Sequence, residues 1–163
     1  MKLASRKAAG RDGELVVVDR ALARYVAVPD IAPTLQRALD NWSEVEPRLR
    51  GVAATLESGK LAGAKPFDAH ECAAPLPRAY QWADGSAYVN HVELVRKARG
   101  AEVPNIYFEE PLIYQGGSDD LLGACDDARF TSEEHGIDLE AEVGVITDDV
   151  PMATPAAAMA GHV

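Results

Sequence analysis

The first 28 residues constrain this chain most, because they alternate short β-compatible runs with breaks too brief to hold anything but turns. Residues 2–7, 14–19 and 24–28 are the runs. Gly10-Arg11-Asp12-Gly13 separates the first two with turn chemistry, and Arg20-Ala21-Leu22-Ala23 separates the second pair. The pattern predicts a small antiparallel meander. After Pro29 the period changes: Ile31, Leu35, Leu39 and Trp42 mark one apolar helix face. Ser43 with Glu46 offers a capping box, and Val45, Leu49, Val52 and Leu56 carry the helical period to a stop at Gly59. That reading places Pro47 in the first turn, where a missing N–H is tolerated. The helices are expected to lie on the meander.

Residues 58–77 hold Gly, Ala, Lys and prolines with little periodicity, the composition of an interdomain crossing. The expected division is therefore a small domain over 1–74 and a second over 75–163. In the second part, the alternation over 137–147 predicts a strand. Thr154-Pro155 predicts a helix N-cap and first residue, with the apolar run 156–159 following.

Hydrophobic residues at 47% and charged residues at 26% give a globular balance rather than a disordered one. A formal charge of −10 argues against nucleic acid and anionic membrane as main partners, since both need a basic face. No stretch approaches the ~18 apolar residues of a membrane span, and residues 1–13 lack the apolar core of a signal peptide. The expected location is cytoplasmic. Cys72 and Cys125 have no paired spacing and read as two reduced thiols.

Three groups of residues could carry chemistry. In Asp138-Leu-Glu140-Ala-Glu142, period two puts both glutamates on one face of a strand, where they either meet water or converge on a hard cation such as Mg²⁺, Mn²⁺ or Ca²⁺. Asp84 and His91 are seven residues apart, which would place them on one side of a helix; Asp84 could alternatively be only that helix's N-cap. Tyr114 precedes Gln115-Gly116-Gly117, a turn in which backbone and phenol could approach a small ligand.

Tyr80-Gln-Trp-Ala-Asp84, Asn90-His91, Pro111-Leu-Ile-Tyr114-Gln-Gly-Gly117-Ser118-Asp119 and Gly136-Ile-Asp-Leu-Glu140-Ala-Glu142 occur together in an order and spacing that resemble bacterial proteins of the fumarylacetoacetate hydrolase family. The resemblance runs from about Ala74 onward, and the residues before it look like that branch's small N-terminal domain. It implies an α+β fold: the N-terminal β-meander with helices, then the first part of a mixed β-roll. It also implies a divalent metal, Mg²⁺ foremost, held by Asp84, Glu140 and Glu142 and by a further aspartate expected beyond Val163. His91 takes the place of the histidine that activates water, and Tyr114 that of a substrate tyrosine. Ser86 and Gly100 stand where fumarylacetoacetases have a substrate tyrosine and an arginine, with Arg99 adjoining the second as a substrate contact.

The implied reaction is hydrolytic carbon–carbon cleavage of a small diketo acid, a β-diketone or acylpyruvate, by a protein that is a homodimer at full length. A non-catalytic remnant or binding module keeping part of the fold is the alternative.

Overall fold

A computed structural model of the chain describes residues 1–8, 10–117 and 120–163. Ser118 and Asp119, the end of the Pro111–Asp119 motif, lie outside the described residues. The chain forms two compact units, one of residues 1–77 with 122–163 and one of residues 78–121.

In the first unit the meander forms as its periodicity dictates: β1 (Lys2–Arg6), β2 (Glu14–Val18) and β3 (Arg24–Ala27) pair antiparallel in order. The β1–β2 register sets Ala4 opposite Val16, and the β2–β3 register sets Val17 opposite Val26. Gly13 sits at φ +68°, where a Cβ would lie 2.8 Å from the Arg6 carbonyl oxygen, so this turn requires glycine.

β2 is a continuous apolar run because both of its faces are covered. Leu15 and Val17 pack under the helices with Leu35, Ala38, Val45, Leu49 and Leu56. Val16 and Val18 face the other way, against Tyr25 and the partly buried Ala4, Ala27 and Phe67. Helix α1 (Leu35–Leu39) is capped by Thr34, whose side chain accepts the Arg37 N–H at 3.2 Å.

Helix α2 (Trp42–Glu57) buries Val45, Leu49, Ala53 and Leu56 along one stripe. It ends at Ser58, and Gly59 follows at φ +72°. Two details depart from expectation. The cap position is Asn41 rather than Ser43, so no Ser43–Glu46 box forms, and Pro47 falls inside the helix. Pro47 is exposed, and the carbonyl its missing N–H would have met belongs to Ser43, which is exposed as well, so water can satisfy it.

Residues 58–77 are not a crossing. They complete both edges of the meander. β4 (Lys65–Pro66) pairs with β3, extending the sheet order to β1-β2-β3-β4. The chain then turns through a 3₁₀ segment, Ala69–Glu71, begun by Asp68 accepting the His70 N–H at 2.9 Å. It returns along β1, where Cys72 bridges Arg6, the Ala73 N–H donates to the Ser5 carbonyl at 2.9 Å, and the buried Ser5 hydroxyl donates to the Pro75 carbonyl at 2.6 Å. This pairing covers one end of each outer edge of the meander.

Over 122–163 the expected strand at 137–147 is absent. Leu139 is 92% exposed and Val143 94%. The alternation was real, but no neighbouring strand pairs with it among the described residues. The segment is tied by a turn at 123–126, where the Asp126 carboxylate accepts the Gly123 N–H at 2.9 Å and pairs with Lys7. Residues Ala156–His162 form a 3₁₀ helix with Pro155, not Thr154, at the cap position; the Thr154 hydroxyl donates instead to the Pro151 carbonyl at 2.6 Å.

The second unit contains β5 (Ala83–Ser86) and β6 (Leu112–Gln115), paired antiparallel, with α3 (Val89–Ala98) and a 3₁₀ turn, Asn105–Phe108, between them. The Arg96 guanidinium lies 5.2 Å from the Tyr107 ring centroid and donates to its hydroxyl at 2.7 Å, closing α3 onto that turn. Small antiparallel sheets with helices make the architecture α+β.

Candidate functional site

Residues 83–86 read Ala-Asp-Gly-Ser, a composition with little strand preference. They become a strand because Leu112-Ile-Tyr-Gln, rich in strand formers, supplies the ladder. Asp84 is therefore neither on a helix with His91 nor its cap: it lies on β5, while His91 lies in the first turn of α3, whose cap position is Tyr88. The spacing of seven spans a strand, a turn and a helix start.

The pairing brings two of the candidate residues together. Asp84 stands directly opposite Tyr114 across the two strands, so both side chains leave the same face of the sheet. Tyr114 is a strand residue rather than a loop residue, and it remains 58% exposed. Ser86, two positions along from Asp84, shares that face and donates its hydroxyl to the Asp84 carboxylate at 3.4 Å. Trp82 precedes Asp84 by two. Its ring centroid is 5.8 Å from that of Tyr114, with the planes tilted at 60°, within the separation at which aromatic pairs attract.

The chain therefore presents a polar and aromatic face of Trp82, Asp84, Ser86 and Tyr114. The Tyr114 phenol there can donate a hydrogen bond to a ligand oxygen, whereas the Asp84 carboxylate only accepts and would meet a donor or a cation. The sequence reading missed Trp82. Its signal was available in the period-two relation to Asp84, which becomes visible once residues 83–86 are known to be extended.

His91 is exposed on α3, and Arg99 is exposed at that helix's C-cap. Glu140 and Glu142 are exposed within the irregular stretch of the first unit rather than on a strand face. Asp84, Glu140 and Glu142 are the hard oxygen donors that Mg²⁺ takes. Among the described residues, however, no group of three or more His, Cys, Asp or Glu is gathered for a metal ion. The donor set fits such an ion in kind.

In the first unit a cavity of about 190 Å³ lies among Arg6, Tyr25, Phe67 and Cys72, and it contains none of the candidate residues. Burial pushes the Cys72 thiol above its usual range, the direction that disfavours the thiolate. Cys72 and Cys125 are both free. No helix among the described residues is long and apolar enough to cross a membrane.

Residues 1–78 match the family model described as fumarylacetoacetase N-terminal domain 2. The matched segment takes in the whole four-stranded sheet, α1, α2 and the returning segment along β1. A search of curated proteins finds no match.

Proposed function

We propose, on the premise that residues 1–78 belong to the fumarylacetoacetase N-terminal domain family, that the chain serves a hydrolase cleaving a carbon–carbon bond of a small diketo acid. The substrate class is a β-diketone or acylpyruvate. The observation that carries this reading within the second unit is the placement of Asp84 and Tyr114 as cross-strand partners on one face.

In this reading His91 removes a proton from water as it adds to the substrate carbonyl. General-base catalysis of that kind contributes roughly 10²–10⁴-fold. The carbon–carbon bond then breaks, its electron pair leaves as an enolate, and the enolate takes up a proton. The Tyr114 phenol donates a hydrogen bond to a substrate oxygen, and the Arg99 guanidinium pairs with the substrate carboxylate. Asp84, Glu140 and Glu142 are the proposed ligands of a divalent ion, Mg²⁺ before Mn²⁺ or Ca²⁺; such an ion supplies Lewis acidity to a bound diketone. The working protein is proposed to be a cytoplasmic homodimer with the family's mixed β-roll.

The test is loss of the enol absorbance of acetylpyruvate in Mg²⁺ buffer. The chain is expected to catalyse it, and His91→Ala to lower the rate by about 10²-fold or more. Equal rates for a folded His91→Ala variant would remove His91 from the mechanism. A second reading is a non-catalytic binding module that presents the partly exposed face of Trp82, Asp84, Ser86 and Tyr114 to a ligand. It predicts ligand binding with no turnover.

A further inference from the structure

Trp82 is held at three points by the segment that follows Tyr114. The Gly116 N–H donates to the Trp82 carbonyl at 3.0 Å, carrying the β5–β6 ladder one pair further. The Trp82 indole N–H donates to the Gly117 carbonyl at 3.0 Å. Between these two bonds the indole lies flat over Gly116: a Cβ built there would fall 1.8 Å from one ring atom and 2.1 and 2.3 Å from two others. Gly116 is therefore a cradle for a ring rather than a flexible hinge. No side chain fits at this position unless the indole moves.

The clasped ring stands beside the Tyr114 phenol, with centroids 5.8 Å apart. Tyr114 is otherwise 58% exposed, and a half-exposed tyrosine on a two-stranded sheet samples several rotamers unless a neighbour restricts it. The geometry points to Trp82 as the positioning residue of the site: clasped by Gly116 and Gly117, it holds the Tyr114 phenol in one orientation over the face it shares with Asp84. The Gly-Gly pair thus acts through the indole. This inference rests on the reading of Tyr114 as a substrate contact.

The test is a double-mutant cycle built on a His91→Ala parent, which stands as the wild type here because it turns the ligand over too slowly to add heat, read by calorimetric binding of acetylpyruvate in Mg²⁺ buffer, with circular dichroism to show that each variant is folded. Trp82→Ala is expected to weaken binding by about tenfold, and Tyr114→Phe by a similar factor. In the Tyr114→Phe background, Trp82→Ala should cost almost nothing more, because the hydroxyl it positions is gone. Trp82→Phe, which keeps a ring but loses the donor, should recover part of the loss.

Gly116→Ala displaces the indole from the opposite strand without deleting it. It is expected to reproduce the Trp82→Ala loss even if that variant is too unstable to measure. Equal losses from Trp82→Ala in both backgrounds, or a folded Gly116→Ala that binds like the wild type, overturns the inference while leaving Tyr114 as a contact. Absence of binding by the wild type overturns the underlying reading and the inference with it.

Discussion

Asp19 is only 2% exposed, yet it stays charged because its carboxylate accepts the Ala23 N–H at 2.8 Å and the Arg24 N–H at 3.2 Å and pairs with the Arg24 guanidinium at 3.0 Å. These partners, the Ala23 N–H first, hold its pKa below the usual carboxylate range. They also organise the β2–β3 loop, which includes Leu22 at φ +56°. Arg-Ala-Leu-Ala separates the two strands without a turn-forming residue of its own. The instruction sits one residue earlier, in a side chain that folds back on its own backbone. Because the folded pKa is depressed, the stabilisation is present above the unfolded value of about 3.9 and is lost as pH falls through the folded one. Thermal melts from pH 7 down to pH 3 should show the wild type losing more of its melting temperature below about pH 4 than Asp19→Asn does. Parallel curves would mean that the carboxylate contributes nothing as an anion.

At the scale of elements, α2 carries the first unit's core. Leu49 is fully buried in its stripe, among residues from the sheet and both helices. Leu49→Ala should destabilise the unit by about 2–5 kcal/mol, the range for deleting a buried leucine, read as a lowered denaturant midpoint with unchanged slope. A loss under about 1 kcal/mol would mean that the helix is loosely packed on the sheet. The meander and this helix were legible because their patterns are local: period two in the strands, then spacings of three and four. β5 was not. Ala-Asp-Gly-Ser is extended only because a strand-forming partner arrives 26 residues later in register, and no local pattern contains that pairing. The segment 137–147 is the converse. Its alternation gives a strand two faces but not a neighbour, and without a ladder the backbone has no reason to stay extended.

For the whole molecule, legibility divides along the same line. The matched N-terminal domain was readable down to its strands, although its last part looked like a linker. The reason is that residues 65–75 hold the sheet mainly through backbone pairing, and their few buried or partly buried apolar side chains, among them Phe67, Cys72 and Ala74, follow no regular period. Of the candidate site, Asp84 and Tyr114 came together by a route the spacing did not suggest. Glu140 and Glu142 lost the strand that was to aim them.

The central claim, that these carboxylates serve a divalent ion for diketo-acid cleavage, is tested most directly by calorimetric titration of Mg²⁺ into the wild type, Asp84→Asn and the Glu140→Ala, Glu142→Ala double variant, each checked as folded by circular dichroism. The account predicts saturable binding by the wild type that is lost in both variants. A folded wild type with no saturable heat, or variants that titrate as it does, would contradict the claim and leave the binding-module reading standing.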